Sequence, residues 1–202
     1  MRTVGGVVAT LVLVAGVTVG AASAHDRPGG HREPGATASI VKGTSASIGE
    51  FPWLAHVAYR GPVENYECTG SVVAPRLVLT AAHCVLSEAG HIESVGNFRV
   101  ATGVSDLKQL TSTNVSQVAQ VLVAPGYSIA ALEPDAALLV LQAPVSAPAI
   151  PLANSNDAAL YNPGTPITIA GWGLTNGKST KTPTALRRGS TVIQSPRYCR
   201  GR

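Results

Sequence analysis

One histidine follows an apolar run, in the octet LVLTAAHC at positions 77–84. A strand that ends in small side chains leaves space around His83, so the imidazole can face a cleft instead of packing into a core. Histidine is the side chain that both accepts and returns protons near neutral pH. The octet therefore predicts a proton-transfer group at the end of a buried strand.

A lone aspartate, Asp135, opens a second apolar run, PDAALLVL at positions 134–141. An aspartate in this position is most often a cap or turn residue. The chemical alternative is a carboxylate that accepts from one ring nitrogen of a histidine. Such a carboxylate fixes the tautomer and stabilises the imidazolium that forms when the other nitrogen takes a proton. We predict this second role for Asp135, which lies 52 positions after His83.

Short apolar runs, separated by Gly, Pro, Asn and Ser, must position these two side chains. The runs span 53–59, 71–74, 77–79, 98–101, 118–123, 136–141, 165–171 and 191–194. Few of them show the apolar periodicity of a helix. Only 13% of the 202 residues are charged, with 21 Gly and 14 Pro, which favours an all-β protein. The pattern by itself fits either antiparallel barrels or a sandwich. The prolines of segment 144–151 predict a connection between two subdomains.

The two motifs resemble those of the trypsin/chymotrypsin-like serine proteases, and further stretches match that family in the same order. These are IVKG at 40–43, GEFPW at 49–53, CTGS at 68–71, segments 100–107 and 121–127, AGWG at 170–173, and 186–199, expected as a strand. The resemblance implies a double antiparallel β-barrel with six strands in each barrel and the active site between them. It makes the first barrel complete and the second truncated. His83 would be the general base and Asp135 its orienting carboxylate.

The resemblance also assigns roles to Ile40 and to two cysteines. In that family, cleavage before the position of Ile40 frees an α-amino group that pairs with an aspartate beside the nucleophile. Here Lys42 replaces a family glycine and Ser39 precedes the cleavage point, so activation by a trypsin-like enzyme is not expected. Cys68 and Cys84 match a bridged pair, and a loop of that size stabilises the fold by roughly 3 kcal/mol. An ordinary strand start at Ile40 and two free thiols are the alternatives.

The nucleophile of the family has no counterpart in the sequence. No Gly-Asp-Ser-Gly-Gly segment occurs in the 202 residues, and the last serines are Ser190 and Ser195. Neither has a glycine-rich turn that could aim N–H groups at an oxyanion, so neither is expected to act as a nucleophile. Cys199 matches the first cysteine of a second family disulfide and is expected to be unpaired within the chain. We therefore expect the protease domain, 40–202, to lack its C-terminal part.

The N-terminus has the pattern of a secretory signal peptide over 1–24. Arg2 precedes an apolar stretch at 4–22, and Ala-Ser-Ala at 22–24 provides a small-residue cleavage site. A membrane span is the alternative that the length of the stretch allows. Segment 25–39 is polar and rich in Gly and Pro, and we expect a pro-segment or linker there. Its potential metal ligands do not have the spacing of an established site; they are His25, His31 and Glu33.

The net charge and the positions of the basic residues limit which partners the protein is expected to bind. The net charge is +4, and basic residues cluster only at 187–188 and 197–202, which does not favour nucleic-acid binding. We expect a secreted serine endopeptidase, made as a zymogen, that acts on polypeptides without metal or cofactor and has no membrane anchor after signal removal. We expect the 202-residue chain itself to be inactive. The alternative is a non-catalytic protease homologue that serves as a secreted protein-binding module.

Overall fold

Strands are the main secondary structure of the described residues, and four 3-10 helices lie between them at Ala82–Cys84, Val95–Asn97, Leu107–Gln109 and Ser155–Tyr161. The computed structural model describes residues 40, 43–175 and 182–200, and the predicted signal peptide (1–24) and pro-segment (25–39) lie outside these residues. The elements are β1 Thr44–Ser45, β2 Leu54–Arg60, β3 Asn65–Ala74, β4 Leu77–Thr80, β5 Phe98–Thr102, β6 Val115–Val123, β7 Ala137–Leu141, β8 Pro166–Gly171, β9 Arg187–Val192 and α1 Pro196–Arg200. Within the described part of the chain, no helix is long and apolar enough to cross a membrane.

Six strands close into an antiparallel barrel in the order β2-β3-β4-β7-β6-β5. Successive side chains of a strand point to opposite faces, so alternate residues fill the barrel. In β7, for example, Ala137, Leu139 and Leu141 are buried, while the two residues between them are partly exposed. The largest fully buried side chains of this core include Phe98, Val57, Val72, Val78 and Val100. The all-β prediction with a complete first barrel is confirmed.

The remaining strands form a separate three-stranded sheet in the order β1-β9-β8. Most of its side chains are exposed, and it meets the barrel through a small second core made by Leu54, Trp172 and Leu186. Burial of these three side chains provides the apolar contact between sheet and barrel. The sheet is the partial second barrel that the resemblance implied.

Strand β2 connects the two cores because its two faces serve different partners. Val57 and Tyr59 point into the barrel, whereas His56 points towards the second sheet and packs edge-to-face on Trp172, with ring centroids 5.5 Å apart. The His56 ring is almost fully buried, and its Nε2 lies 3.4 Å from the Glu67 carboxylate. His56, assisted by the Arg60 guanidinium, outweighs the effect of burial and lowers the pKa of Glu67 to about 2.

Two expectations for the last third of the chain were wrong. The final strand is Arg187–Val192 instead of 191–194, and the strand expected over 186–199 ends at Val192. The chain then turns into α1, so Cys199 lies in a helix. Pro196 opens that helix because its fixed φ suits the first helical turn and its missing N–H is not needed there. Segment 144–151 contains no strand, as expected.

Candidate active site

His83 and Asp135 meet because two strand ends are paired. Strands β4 and β7 run antiparallel with Thr80 opposite Ala137. His83 comes three residues after the end of this ladder and Asp135 two residues before its start, so both lie at the same end of the barrel. Between Thr80 and His83, the small residues Ala81 and Ala82 allow the chain to enter a tight 3-10 turn, Ala82–Cys84. The structure therefore brings the two predicted residues together.

The Asp135 carboxylate binds both the backbone and the ring of His83. The backbone N–H of His83 donates to Oδ1 at 2.9 Å, and Nδ1 lies 2.7 Å from Oδ2. The second distance is that of a charge-assisted hydrogen bond. Asp135, just before β7, thus caps the 3-10 turn and also holds the imidazole. The carboxylate therefore makes the contacts of both alternatives raised from the sequence, a turn cap and a partner of the ring nitrogen.

The electrostatics of Asp135 favour its charged form. Partial burial raises the pKa of the carboxyl, but the N–H groups of His83 and the backbone N–H of Ala82 outweigh this, so the pKa lies below its ordinary value. An ionised carboxylate can only accept hydrogen bonds. Nδ1 of His83 is therefore assigned as the donor, and in the neutral ring Nε2 keeps its lone pair.

Nε2 is the ring nitrogen of His83 that Asp135 does not hold, on a side chain that is half exposed. The His83 side chain is 52% exposed, against 29% for Asp135. Nε2 also lies 3.5 Å from the sulfur of Cys84, which flanks one side of the ring. A histidine fixed at Nδ1 and open at Nε2 can take a proton from a nucleophile and return it to a leaving group.

A disulfide fixes the turn that carries His83. Cys68 of β3 is bonded to Cys84, with a Cα–Cα distance of 6.3 Å, and the predicted disulfide is therefore present. Cys84 is buried in the barrel core and Cys68 packs against that core. The bridge closes a loop that includes the β3–β4 hairpin, so the His83 turn is attached to two neighbouring strands.

Ile40 lies on the second sheet, far in sequence from the pair. Its side chain is buried, and its backbone N–H donates to the carbonyl of Leu174 at 2.6 Å. Gly43 and Gly189 make room for it, since an added methyl group at either position would crowd the Ile40 side chain. The residues on which the family motif continues, Val41 and Lys42, lie outside the described residues.

The other predicted residues lie on the second sheet and in its helix. Ser190 is in the middle of β9, at an open cleft of about 420 Å³ that it shares with Thr168 and Arg188. The Ser195 hydroxyl accepts from the backbone N–H of Tyr198 at 3.2 Å and so caps the turn into α1. Cys199 lies in α1, and the pairing of its sulfur falls outside the described side chains.

Sequence reasoning missed two features of the site. One is the backbone of the 3-10 turn, whose N–H groups lower the pKa of Asp135. The other is the carbonyl of Leu174, which binds the Ile40 N–H. Main-chain groups occur at every position and leave no signal in residue types. Only the local conformation of the chain decides which of them point into a site.

A closed barrel beside a partial second sheet, with a His–Asp pair at the end of the barrel, defines the fold class of the double-barrel proteases. A solved structure with this fold is that of the scabies mite inactivated protease paralogue S-D1. It superposes with a TM-score of 0.67 over 80% of this chain and 66% of the mite chain, at 21% identity. At that identity the likeness shows the fold alone.

The sequence comparisons identify the family. The family model described as Trypsin matches residues 40–202, and the chain belongs to that family. A "Trypsin-like protease" of Streptomyces glaucescens is 33% identical over 166 residues, which cover 82% of this chain and 55% of the relative. A "Trypsin" of Saccharopolyspora erythraea is 36% identical over 137 residues, which cover 68% and 56%. The chain thus spans about half the length of these curated relatives.

Proposed function

We propose that this chain carries the general base and the orienting carboxylate of a secreted serine endopeptidase. His83 takes the proton of a serine through Nε2 and returns it to the leaving amine. Asp135 holds the ring and stabilises the imidazolium. The nucleophile, the oxyanion hole and the specificity pocket are supplied by sequence outside these 202 residues. The substrate is a polypeptide.

The hydrogen bond between Nδ1 of His83 and Oδ2 of Asp135 carries this proposal. A carboxylate that only capped the turn would need the backbone N–H groups alone. Here its second oxygen is directed at the ring nitrogen, while about half of the His83 side chain remains exposed. This arrangement suits reversible proton transfer to and from an external group. Membership of the trypsin family supports the same reaction.

Two further parts of the proposal concern the N-terminus. The signal-like sequence of 1–24 supports export, and the disulfide in the structure is of the kind that persists in oxidising compartments. Burial of Ile40 supports its use as an activation N-terminus after cleavage behind Ser39. A free ammonium at Ile40 would need a carboxylate partner in its apolar surroundings, which the same outside sequence would supply.

Labelling with a fluorophosphonate, which reacts with activated serines, tests the catalytic proposal. The 202-residue protein is expected not to label, whereas a version continued through a Gly-Asp-Ser-Gly-Gly segment encoded after Arg202 is expected to label. In that longer protein, Asp135→Asn should lower kcat by roughly four orders of magnitude, because the wrong histidine tautomer would dominate. Glu88→Gln, which removes an exposed carboxylate near the His83 turn, is the matched control.

Two results would contradict the proposal. Stoichiometric labelling of the 202-residue protein would mean that Ser190 or Ser195 is a nucleophile after all. The second result is a stop codon directly after Arg202 with no Gly-Asp-Ser-Gly-Gly segment encoded in any frame. It would show that the endopeptidase proposal is wrong. That second result would favour the alternative, a non-catalytic homologue that binds a protein through the complete barrel.

A further inference from the structure

We propose that reduction of the Cys68–Cys84 disulfide converts the His83 turn into a Zn²⁺ site. The ligands would be the two thiolates and Nε2 of His83. The inference goes beyond the proposed protease function, although both use the same histidine tautomer. With the disulfide closed both sulfurs are occupied, so the disulfide and the metal exclude each other.

One of the three distances among the ligand atoms already fits a tetrahedral zinc ion. The two sulfurs and the His83 ring nitrogen all lie within 4.8 Å of one another. Nε2 and the Cys84 sulfur are 3.5 Å apart. With Zn–S near 2.3 Å and Zn–N near 2.0–2.1 Å, one nitrogen–sulfur edge of a tetrahedron is about 3.5–3.6 Å. That edge already exists in the oxidised protein.

Of the two remaining edges, Nε2 to the Cys68 sulfur is at most 4.8 Å and must shorten, and the sulfur–sulfur edge must lengthen. A tetrahedral site places two zinc-bound sulfurs about 3.8 Å apart. The Cα atoms of Cys68 and Cys84 are 6.3 Å apart on two elements that the barrel holds in place. Rotation of the two side chains can therefore open the sulfurs without moving the backbone ladder.

Asp135 supplies the outer partner that zinc-bound histidines require. A histidine that binds zinc through one nitrogen almost always donates its other ring N–H to a carboxylate, a carbonyl or water. The Nδ1–Asp135 hydrogen bond of 2.7 Å provides this contact already. The same carboxylate thus orients His83 for proton transfer in the oxidised protein and for metal binding in the reduced one.

The chemistry balances with a phosphine as the reductant. The phosphine gives two electrons to the S–S bond, water adds its oxygen to phosphorus, and the protons of that water end on the two sulfurs as thiols. Zn²⁺ then displaces both thiol protons, because thiolates are the binding form. Two thiolates neutralise the charge of the ion. The exposed side of His83 leaves the fourth position to water, as in sites with three protein ligands.

Zinc bound in this way would remove the general base. Nε2 has one lone pair, and coordination uses the same lone pair that would take the proton of a nucleophile. Reduction in the presence of zinc would therefore silence the proposed protease site as well as open the bridge. Binding itself, however, can be measured on the 202-residue protein without any activity.

Titration with Co²⁺ and Zn²⁺ tests the site directly. The protein should carry Cys199→Ser, which removes the only other thiol, and should be reduced with a phosphine without oxygen. We expect one equivalent of Co²⁺ with thiolate-to-cobalt charge-transfer absorption and the visible bands of a tetrahedral ion, which Zn²⁺ displaces. The oxidised protein should give neither signal. X-ray absorption should find two sulfurs, the histidine nitrogen and the oxygen of the bound water in the first shell.

Point variants separate this site from adventitious binding. Asp135→Asn should weaken Zn²⁺ binding roughly 10–100-fold, the usual effect of losing an outer-shell partner. His83→Gln should lose the nitrogen ligand and weaken binding at least as much. His91→Gln, which removes an exposed histidine from the following loop, should leave binding unchanged.

Several outcomes would overturn the inference. One is a Co²⁺ spectrum that is insensitive to both His83→Gln and Asp135→Asn, because it would show binding by thiolates alone. Another is a reduced protein that binds no metal, whether or not far-UV circular dichroism shows that the barrel is retained. The failure of fluorophosphonate labelling in a longer protein would not affect this inference. The two proposals therefore fail independently.

Discussion

At the scale of single residues, the two oxygens of the Asp135 carboxylate bind both the backbone and the ring of His83. Oδ1 receives the backbone N–H of His83 and Oδ2 receives the ring. A carboxylate has room for several donors, and each one favours the ionised form. The histidine tautomer is therefore fixed by the same carboxylate that caps the 3-10 turn.

Tyr59 allows a test, also at the scale of one residue, of how burial changes the pKa of a side chain. It is 4% exposed, stacks on Tyr66 and donates its hydroxyl proton to Glu93 at 2.7 Å. Burial, with the Glu93 carboxylate, outweighs the opposing hydrogen bonds and raises the pKa of Tyr59 above its usual value of 10.0. The unfolded chain then releases this proton at a lower pH than the folded one.

The free energy of unfolding should therefore fall as the pH rises above 10, from the usual tyrosine pKa towards the raised one. Tyr59→Phe should remove this part of the alkaline decline and cost about 1 kcal/mol at pH 7 through the lost hydrogen bond. Urea denaturation from pH 7 to 11 would measure both effects. Tyr161→Phe, at an exposed tyrosine, should follow the unsubstituted protein. Identical alkaline slopes in all three proteins would argue against the assignment.

At the scale of elements, strand pairing decides which residues become neighbours. The β4–β7 register places Thr80 opposite Ala137, and a slip of one residue would move the buried side chains of β7 to its outer face. The register is thus fixed by burial of Leu139 and Leu141. Packing of the barrel core therefore sets the His83–Asp135 geometry.

Trp172 packs between the second sheet and the barrel. It is 2% exposed, belongs to the second core with Leu54 and Leu186, and meets the His56 ring edge-to-face. Trp172→Ala should cost about 3–5 kcal/mol, the range for removing a large buried aromatic side chain. Because the barrel has its own core, we expect this substitution to destabilise mainly the second sheet.

Amide hydrogen exchange would locate that loss. The amides of β8 and β9 should exchange faster in Trp172→Ala, whereas the protection of the barrel strands should persist. Val192→Ala, on β9 but substantially exposed, should change stability by no more than about 0.5 kcal/mol. Equal loss of protection in barrel and sheet would show that the two units unfold as one.

At the scale of the whole molecule, a closed barrel is joined to an open sheet. The barrel has no free edge, but within the described residues β8 lies at the edge of the β1-β9-β8 sheet. Its sequence, PITIAG, contains no charged residue, and Ile169 is exposed. Natural edge strands are commonly protected by charge, because an unpaired ladder can bind another strand.

We therefore expect the 202-residue protein to self-associate through β8. Thr168→Glu should weaken association about fivefold, because pairing would bring like charges close together. Ser190→Glu is the matched control, since Ser190 is the cross-strand partner of Thr168 on the central strand. Sedimentation velocity over a concentration series would compare the variants. An equal effect of both substitutions would point to the sheet face instead of its edge.

Local patterns in the sequence predict the all-β fold class and the residues of the candidate site. The LVLTAAHC and PDAALLVL motifs are local, and the spacing of apolar residues follows the strand period. These signals predict an all-β chain with His83 and Asp135 as a proton-transfer pair, and the resemblance to the trypsin-like family adds the complete barrel and the cysteine pair. Each of them can be read from neighbouring residues or from a short motif.

Only the tertiary structure decided how these residues are held. β1 is too short for a periodic signal and exists because it pairs with β9, about 140 residues later. The cap that Asp135 provides to the His83 turn, the contact of Trp172 with His56, and the burial of Ile40 all join residues that are distant in sequence. Contacts between residues that are distant in sequence leave no pattern in adjacent residues, because they depend on packing between elements. For the same reason the distances among His83 Nε2 and the two sulfurs that we propose as zinc ligands are defined only once the strands are paired.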